Sequence, residues 1–214
     1  MRANLIRRLL RALLSRDAEN MCFREASALD ASGRFLARGV AIDGTPFDKH
    51  AFAVTWFILP LYVPTDHLHY TYGARLGMLT SGGKQWWEYS DDGFDNLVAS
   101  IAPQFEKEAM QSWKRFGNLQ GFETLTYEDF VAADRLRVAE ARLYTARLLQ
   151  DERKFLRRVS DWNHVKCKVR DPLDWQCEVI ERVELFLSVW KRDPEAADSL
   201  LHDWERGTRE ALRL

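Results

Sequence analysis

His67 and His69, two residues apart in "PTDHLHYTYGARLG", are the side chains of this sequence best spaced to share one ligand. In an extended segment both imidazoles project to the same face and can approach a single metal ion. Arg75 has the same parity and adds a cation suited to an anion or substrate on that face. No third ligand is fixed by spacing, so a solvated polar face, or histidines covered by a helix, is the plainer reading.

A second cluster, His164 and Cys167 with Cys177 further on, offers three ligand types that zinc accepts. Structural zinc sites close with four ligands, usually through tight Cys pairs, and none occurs here. The cysteines read instead as ordinary buried small residues. Three cysteines in all give no disulfide framework and suit a reducing compartment, so a cytoplasmic location is expected.

Nucleophilic and metallohydrolase signatures are missing: the chain has no G-x-S-x-G and no H-E-x-x-H. Gly82–Gly83–Lys84 lacks the earlier glycine and the following Ser or Thr of a phosphate-cradling loop and reads as a hairpin turn. The acids of "SDDG" at 90–93 read as a turn that caps the next helix. No catalytic residue and no cofactor is assigned.

What the sequence does offer is aromatic surface. "KQWWEY" places Trp86 and Trp87 on opposite sides of a strand, so that one enters the core and the other must find cover. An exposed tryptophan beside Tyr and charges has the composition of a contact hot spot. Trp86 or Trp87, together with the face of His67, His69 and Arg75, is therefore the expected partner-binding surface. The Arg-rich "RKFLRR" at 153–158 is interspersed with apolar residues and reads as a solvated helix face, and "HVKCKVR" as a short basic strand or connector. With a net charge of −1, no nucleic-acid partner is expected.

These residues need elements to hold them. Turn signals at 30–33, 43–46, 64–66 and 81–83 separate runs of strand length near 22–29, 34–42, 50–63, 67–77 and 84–89. Their close spacing predicts an antiparallel meander of four or five strands. The apolar run 51–63 is too short to span a membrane and is interrupted by Pro60. Within it Phe52, Val54, Trp56 and Ile58 share the face expected to be buried. Tyr70, Tyr72 and Leu76 are expected on the apolar face of the next strand, and His67, His69, Thr71 and Arg75 on a polar reverse.

After residue 93 the period becomes helical. Phe94, Leu97, Val98 and Ile101 form one face, and Pro103 should break the helix or open another carrying Phe105, Ala109 and Trp113. Thr126 with Asp129 predicts the start of a long helix with Ala132, Leu136, Ala139, Leu143 and Ala146 on one stripe. Asp171–Pro172 and Asp193–Pro194 predict two further starts. The expected fold is thus α+β: an N-terminal amphipathic helix, the meander, then a C-terminal helical bundle. It divides into a sheet unit over 1–120 and a helical unit over 121–214, or forms one continuous domain.

The first helix alternates Leu5, Ile6, Leu9, Leu10, Leu13 and Leu14 with Arg7, Arg8 and Arg11 on the opposite arc. It packs on the fold or a partner, or else holds residues 2–16 against anionic lipid. Recurrent Arg within it argues against a secretory leader.

The segments "FILPLYVPTDHLHYTYGARLG" and "LLHDWERGTREALRL" resemble small uncharacterised bacterial α+β proteins of immunity or accessory type, over about a third of the chain. The resemblance implies a protein that works by binding another protein, a toxin or a secretion or assembly component, and it transfers no functional residue. Peripheral membrane attachment and metal-dependent catalysis at His67 and His69 are the competing expectations.

Overall fold

The computed structural model describes residues 3–15, 18–45, 47–48, 50–89, 93–126, 128–129 and 134–214. Helix α1 (Ala3–Leu13) is followed by six antiparallel strands: β1 (Met21–Phe23), β2 (Ser27–Asp30), β3 (Leu36–Gly44), β4 (Ala51–Pro60), β5 (Tyr72–Arg75) and β6 (Trp87–Glu88). They form a meander in the order β1-β2-β3-β4-β5, with β6 added to β4. The run 22–29 is two strands and not one, because a turn at Arg24–Ser27 folds it into a hairpin without any Gly, Pro or Asn to announce it.

Strand β4 is central, and Pro60 ends it. Its even-numbered side chains Phe52, Val54, Trp56 and Ile58 are buried in the main apolar cluster, as the alternation predicts. The odd face is buried too: Phe57 and Leu59 join Leu29, Ala37, Ala41 and Leu61 in a second cluster closed by Leu212 of the C-terminal helix. A strand covered on both sides reads as a nearly continuous apolar run, and 51–59 is one apart from Thr55. Phe57 fits because its ring lies over Gly39 of β3, where a Cβ would come within 2.4 Å of it.

The next segment departs from the predicted strand. Only Tyr72–Arg75 is extended, and a turn at Thr71 breaks the parity between Tyr70 and Tyr72. Tyr70 packs on Phe57, 4.8 Å between ring centroids, on the second-cluster side, whereas Tyr72 enters the main cluster with Leu76. The expected grouping of Tyr70 with Tyr72 is therefore corrected.

The helical part comprises α2 (Phe94–Phe105), a π-helical segment (Glu106–Met110), α3 (Gln111–Phe116), α4 (Leu119–Glu123), α5 (Arg135–Leu148), α6 (Glu152–Lys166), α7 (Asp174–Arg192) and α8 (Pro194–Leu212). Pro103 lies inside α2, and the chain continues through the π segment where a break or new start was predicted. Thr126 and Asp129 do pair, Thr126 N donating to Oδ2 at 2.7 Å, but α5 starts later, capped by Asp134. Ala132 and the residues Ser90, Asp91 and Asp92 of "SDDG" lie outside the described residues. Asp193 caps α8 with Pro194 in its first turn, as predicted, while α7 begins past Asp171–Pro172, with Gln176 reaching back to the Leu173 N–H.

The main cluster draws on both parts of the chain, from Leu9 and Trp56 to Phe186 and Leu201. Two tyrosines tie the sheet to α5: the Tyr62 hydroxyl donates to Thr145 Oγ1 (2.6 Å), which donates to the Ala141 carbonyl, and Tyr72 donates to the Arg137 carbonyl (2.8 Å). Arg209 of α8 adds hydrogen bonds to the carbonyls of Ala31, Gly33 and Arg34 in the β2–β3 turn.

Candidate binding surfaces

One end of the sheet gathers exposed apolar side chains. The β3–β4 connection and the chain around β6 meet there, since Ala51 and Phe52 pair with Glu88 and Trp87, and Tyr89 N donates to the His50 carbonyl. Phe47 is 96% exposed in the first connection; Met78 (40%) and Leu79 (44%) ride on the β5–β6 connection, and Trp86 (40%) stands just before β6. Trp87, by contrast, is 1% exposed and packs near Phe52 in the core. The two tryptophans divide as expected, one inside and one out.

The platform is built from below. Glu108, on the π segment and itself buried, accepts from Gly77 N and Thr80 Oγ1, both at 2.9 Å. The loop neck is pinched: Gly77 has φ +83°, and a Cβ there would meet the Lys84 carbonyl at 2.4 Å. A closed, anchored loop thus carries Met78 and Leu79. Beside it a groove of about 430 Å³ runs between Lys84, Trp86 and Glu88 and the α2 residues Asn96, Leu97 and Ser100.

Arg75 belongs to this surface. It faces Thr55 across the sheet and its guanidinium carbon lies 4.3 Å from the centroid of a Trp86 ring. Its Nε is buried with no hydrogen-bond partner. His67 and His69 do not join it. They form an edge-on pair, 6.3 Å between centroids, with His69 turned toward Tyr72 on the opposite side of the sheet from Arg75. The single polar face of His67, His69 and Arg75 is corrected for the same reason as the tyrosines, the turn at Thr71.

His67 is exposed and bonds Asp66 (2.7 Å). His69 is largely buried; desolvation, reinforced by the charges of Arg137, His67 and Arg182, pushes its pKa down to about 4. Among the described residues no group of three or more His, Cys, Asp and Glu is arranged to hold a metal. Cys22 and Cys167 are exposed and Cys177 is half-buried, correcting the expectation that the cysteines are buried.

Behind His69 lies a polar cluster that no sequence spacing announces. Glu140 on α5 is fully buried and accepts from Arg182 Nε of α7 at 2.6 Å. Burial drives the Glu140 pKa up against the pull of Arg182 and raises those of Tyr62, Tyr72 and Tyr144.

A second concavity, about 730 Å³, opens between α5, α6 and the α6–α7 connector. Among the described residues Arg135, Arg142, Arg157, Arg158, Lys168 and Arg170 line it against Asp134 and Asp161. "RKFLRR" and "HVKCKVR", read as a solvated face and a strand or connector, both contribute to its wall; the latter is the end of α6 and a connector.

Helix α1 packs on the fold: Leu9, Leu10 and Leu14 are fully buried, Arg8 lies over Phe94 (3.8 Å) and Arg11 over Phe23 (5.4 Å), and Arg7 is exposed. The apolar stripe that would insert into lipid is occupied by the core. Among the described residues no helix is long and apolar enough to cross a membrane.

No protein-family model, curated protein or solved structure matches the chain.

Proposed function

We propose that this is a protein-binding accessory protein, with immunity against a toxin as the concrete form, and that it docks its partner on the sheet end formed by Phe47, Met78, Leu79, Trp86 and Arg75. The observation that carries this reading is the clustering. Of the seven large apolar side chains exposed among the described residues, four stand at this one end. Single exposed apolar residues are ordinary, but a group on an anchored platform beside a groove is the form of an interaction site. Tryptophan and arginine are the residue types that most often dominate binding energy.

The chemistry specifies the partner's side. Arg75 makes no ion pair with any described residue, and its guanidinium edge beside Trp86 suits a carboxylate flanked by apolar surface. Tagged protein expressed in its source cell should co-purify one partner in stoichiometric amount. The Phe47→Ser/Trp86→Ser variant should lose that partner, while Leu156→Ser/Leu185→Ser, in the helical part, should keep it. Recovery of a bare monomer, or retention of the partner by the first variant, would remove the reading.

A further inference from the structure

The cleft between α5 and α6 differs from the sheet end in kind. It is concave, strongly basic and floored by aliphatic side chains, among them Leu136, Val138 and Val165. Its two acids are already engaged: Asp134 caps α5 through the Leu136 N–H, and Asp161 accepts from Arg158 Nη1 at 2.7 Å. Arg158 is spent as well, since its Nε and Nη2 both bond the buried Glu123 carboxylate.

What remains is an excess of cations. Among the described residues Arg142 uses only Nε, on the Glu123 backbone carbonyl (2.9 Å), and forms no ion pair. Arg157, Lys168 and Arg170 form neither a hydrogen bond nor an ion pair with any described residue, though all three line the same space. Arg142 is also partly desolvated beside Arg158, and burial together with that charge lowers its pKa, so a bound anion would relieve it.

We propose that this cleft is a binding site for a small organic phosphate, a phosphate monoester on an apolar or aromatic body, with Arg142, Arg157, Lys168 and Arg170 holding the phosphate and the aliphatic floor receiving the body. Three cations without a partner among the described residues, and an Arg142 that engages only its Nε there, call for a doubly charged anion, and guanidinium forks match phosphate oxygens. The volume lies within the range of small-molecule sites and is too confined for a folded domain.

Calorimetric titration with phenyl phosphate, phenol and inorganic phosphate separates head from body. Phenyl phosphate should saturate with a Kd of roughly 10–1000 μM, weakening as salt rises, while phenol and inorganic phosphate each bind at least about tenfold more weakly. Because Arg142 also braces α4, Arg142→Gln is paired with Arg157→Gln/Lys168→Gln/Arg170→Gln, whose residues are exposed and bond no described residue. Each should lose about tenfold or more in affinity. No saturation, undiminished binding by the triple variant, or inorganic phosphate binding as tightly as phenyl phosphate would overturn the assignment. A phosphotyrosine peptide binding far more tightly than phenyl phosphate would overturn the small-molecule class.

Discussion

The guanidinium of Arg75 lies 4.3 Å from the centroid of a Trp86 ring, so the outward tryptophan of the Trp86–Trp87 pair is supported by a charge and not by the core. The contact stabilises by about 0.5–1 kcal/mol at an exposed site, too little to explain why a large indole stands in solvent. Trp86→Ala should therefore shift the thermal midpoint by no more than about 3 °C while costing about 2 kcal/mol or more in partner affinity. Calorimetric melting and titration against the purified partner check both.

Glu108 is buried beneath the platform loop and holds it from below. Glu108→Ala removes the acceptor for Gly77 N and Thr80 Oγ1, and should cost about 1–3 kcal/mol in urea unfolding. Amide exchange in residues 77–83 should rise in the variant while that of β3 and β4 stays slow. Unchanged exchange in the loop would show that Glu108 does not hold it.

The Glu140–Arg182 pair bridges α5 and α7, with the carboxylate fully buried and the arginine side chain half-buried. Glu140→Ala leaves the guanidinium uncompensated and should destabilise by about 3–5 kcal/mol. The double replacement Glu140→Leu/Arg182→Met should recover most of that loss, because two fitted apolar side chains avoid the desolvation of both charges. Chemical denaturation of the three proteins gives the comparison.

His69 supplies an acid-side instability. Its pKa falls from 6.5 to about 4 on folding, so the fold keeps it neutral and the unfolded chain binds its proton more readily. The stability associated with neutral His69 is complete above pH 6.5 and is lost as pH falls from there to about 4, amounting to roughly 3 kcal/mol at full protonation. Compared at pH 7 and pH 4.5, His69→Leu should lose less stability than the wild type. Parallel losses in the two proteins would remove His69 from the account.

Legibility of this fold in the sequence follows the range of the interactions. The parity of Phe52, Val54, Trp56 and Ile58, the Asp193–Pro194 helix start and the split of Trp86 from Trp87 are local and were readable. Phe57 and Leu59 carried a readable sign that β4 is buried on both faces, since they make 56–59 apolar at every position. The turn at Thr71 had no such sign: it contains neither Gly nor Pro, and it moved His69 away from Arg75. The cleft cations lie on two helices and a connector, from Arg135 to Arg170, and only tertiary packing brings them to one space.

Hydrogen exchange of the protein alone and in complex with its co-purified partner tests the binding surface most directly. Protection should appear in residues 45–51 and 76–89, around Phe47, Met78, Leu79 and Trp86, with α6 to α8 unchanged. Protection confined to those helices, with the sheet end exchanging as it does in the free protein, would contradict the docking surface.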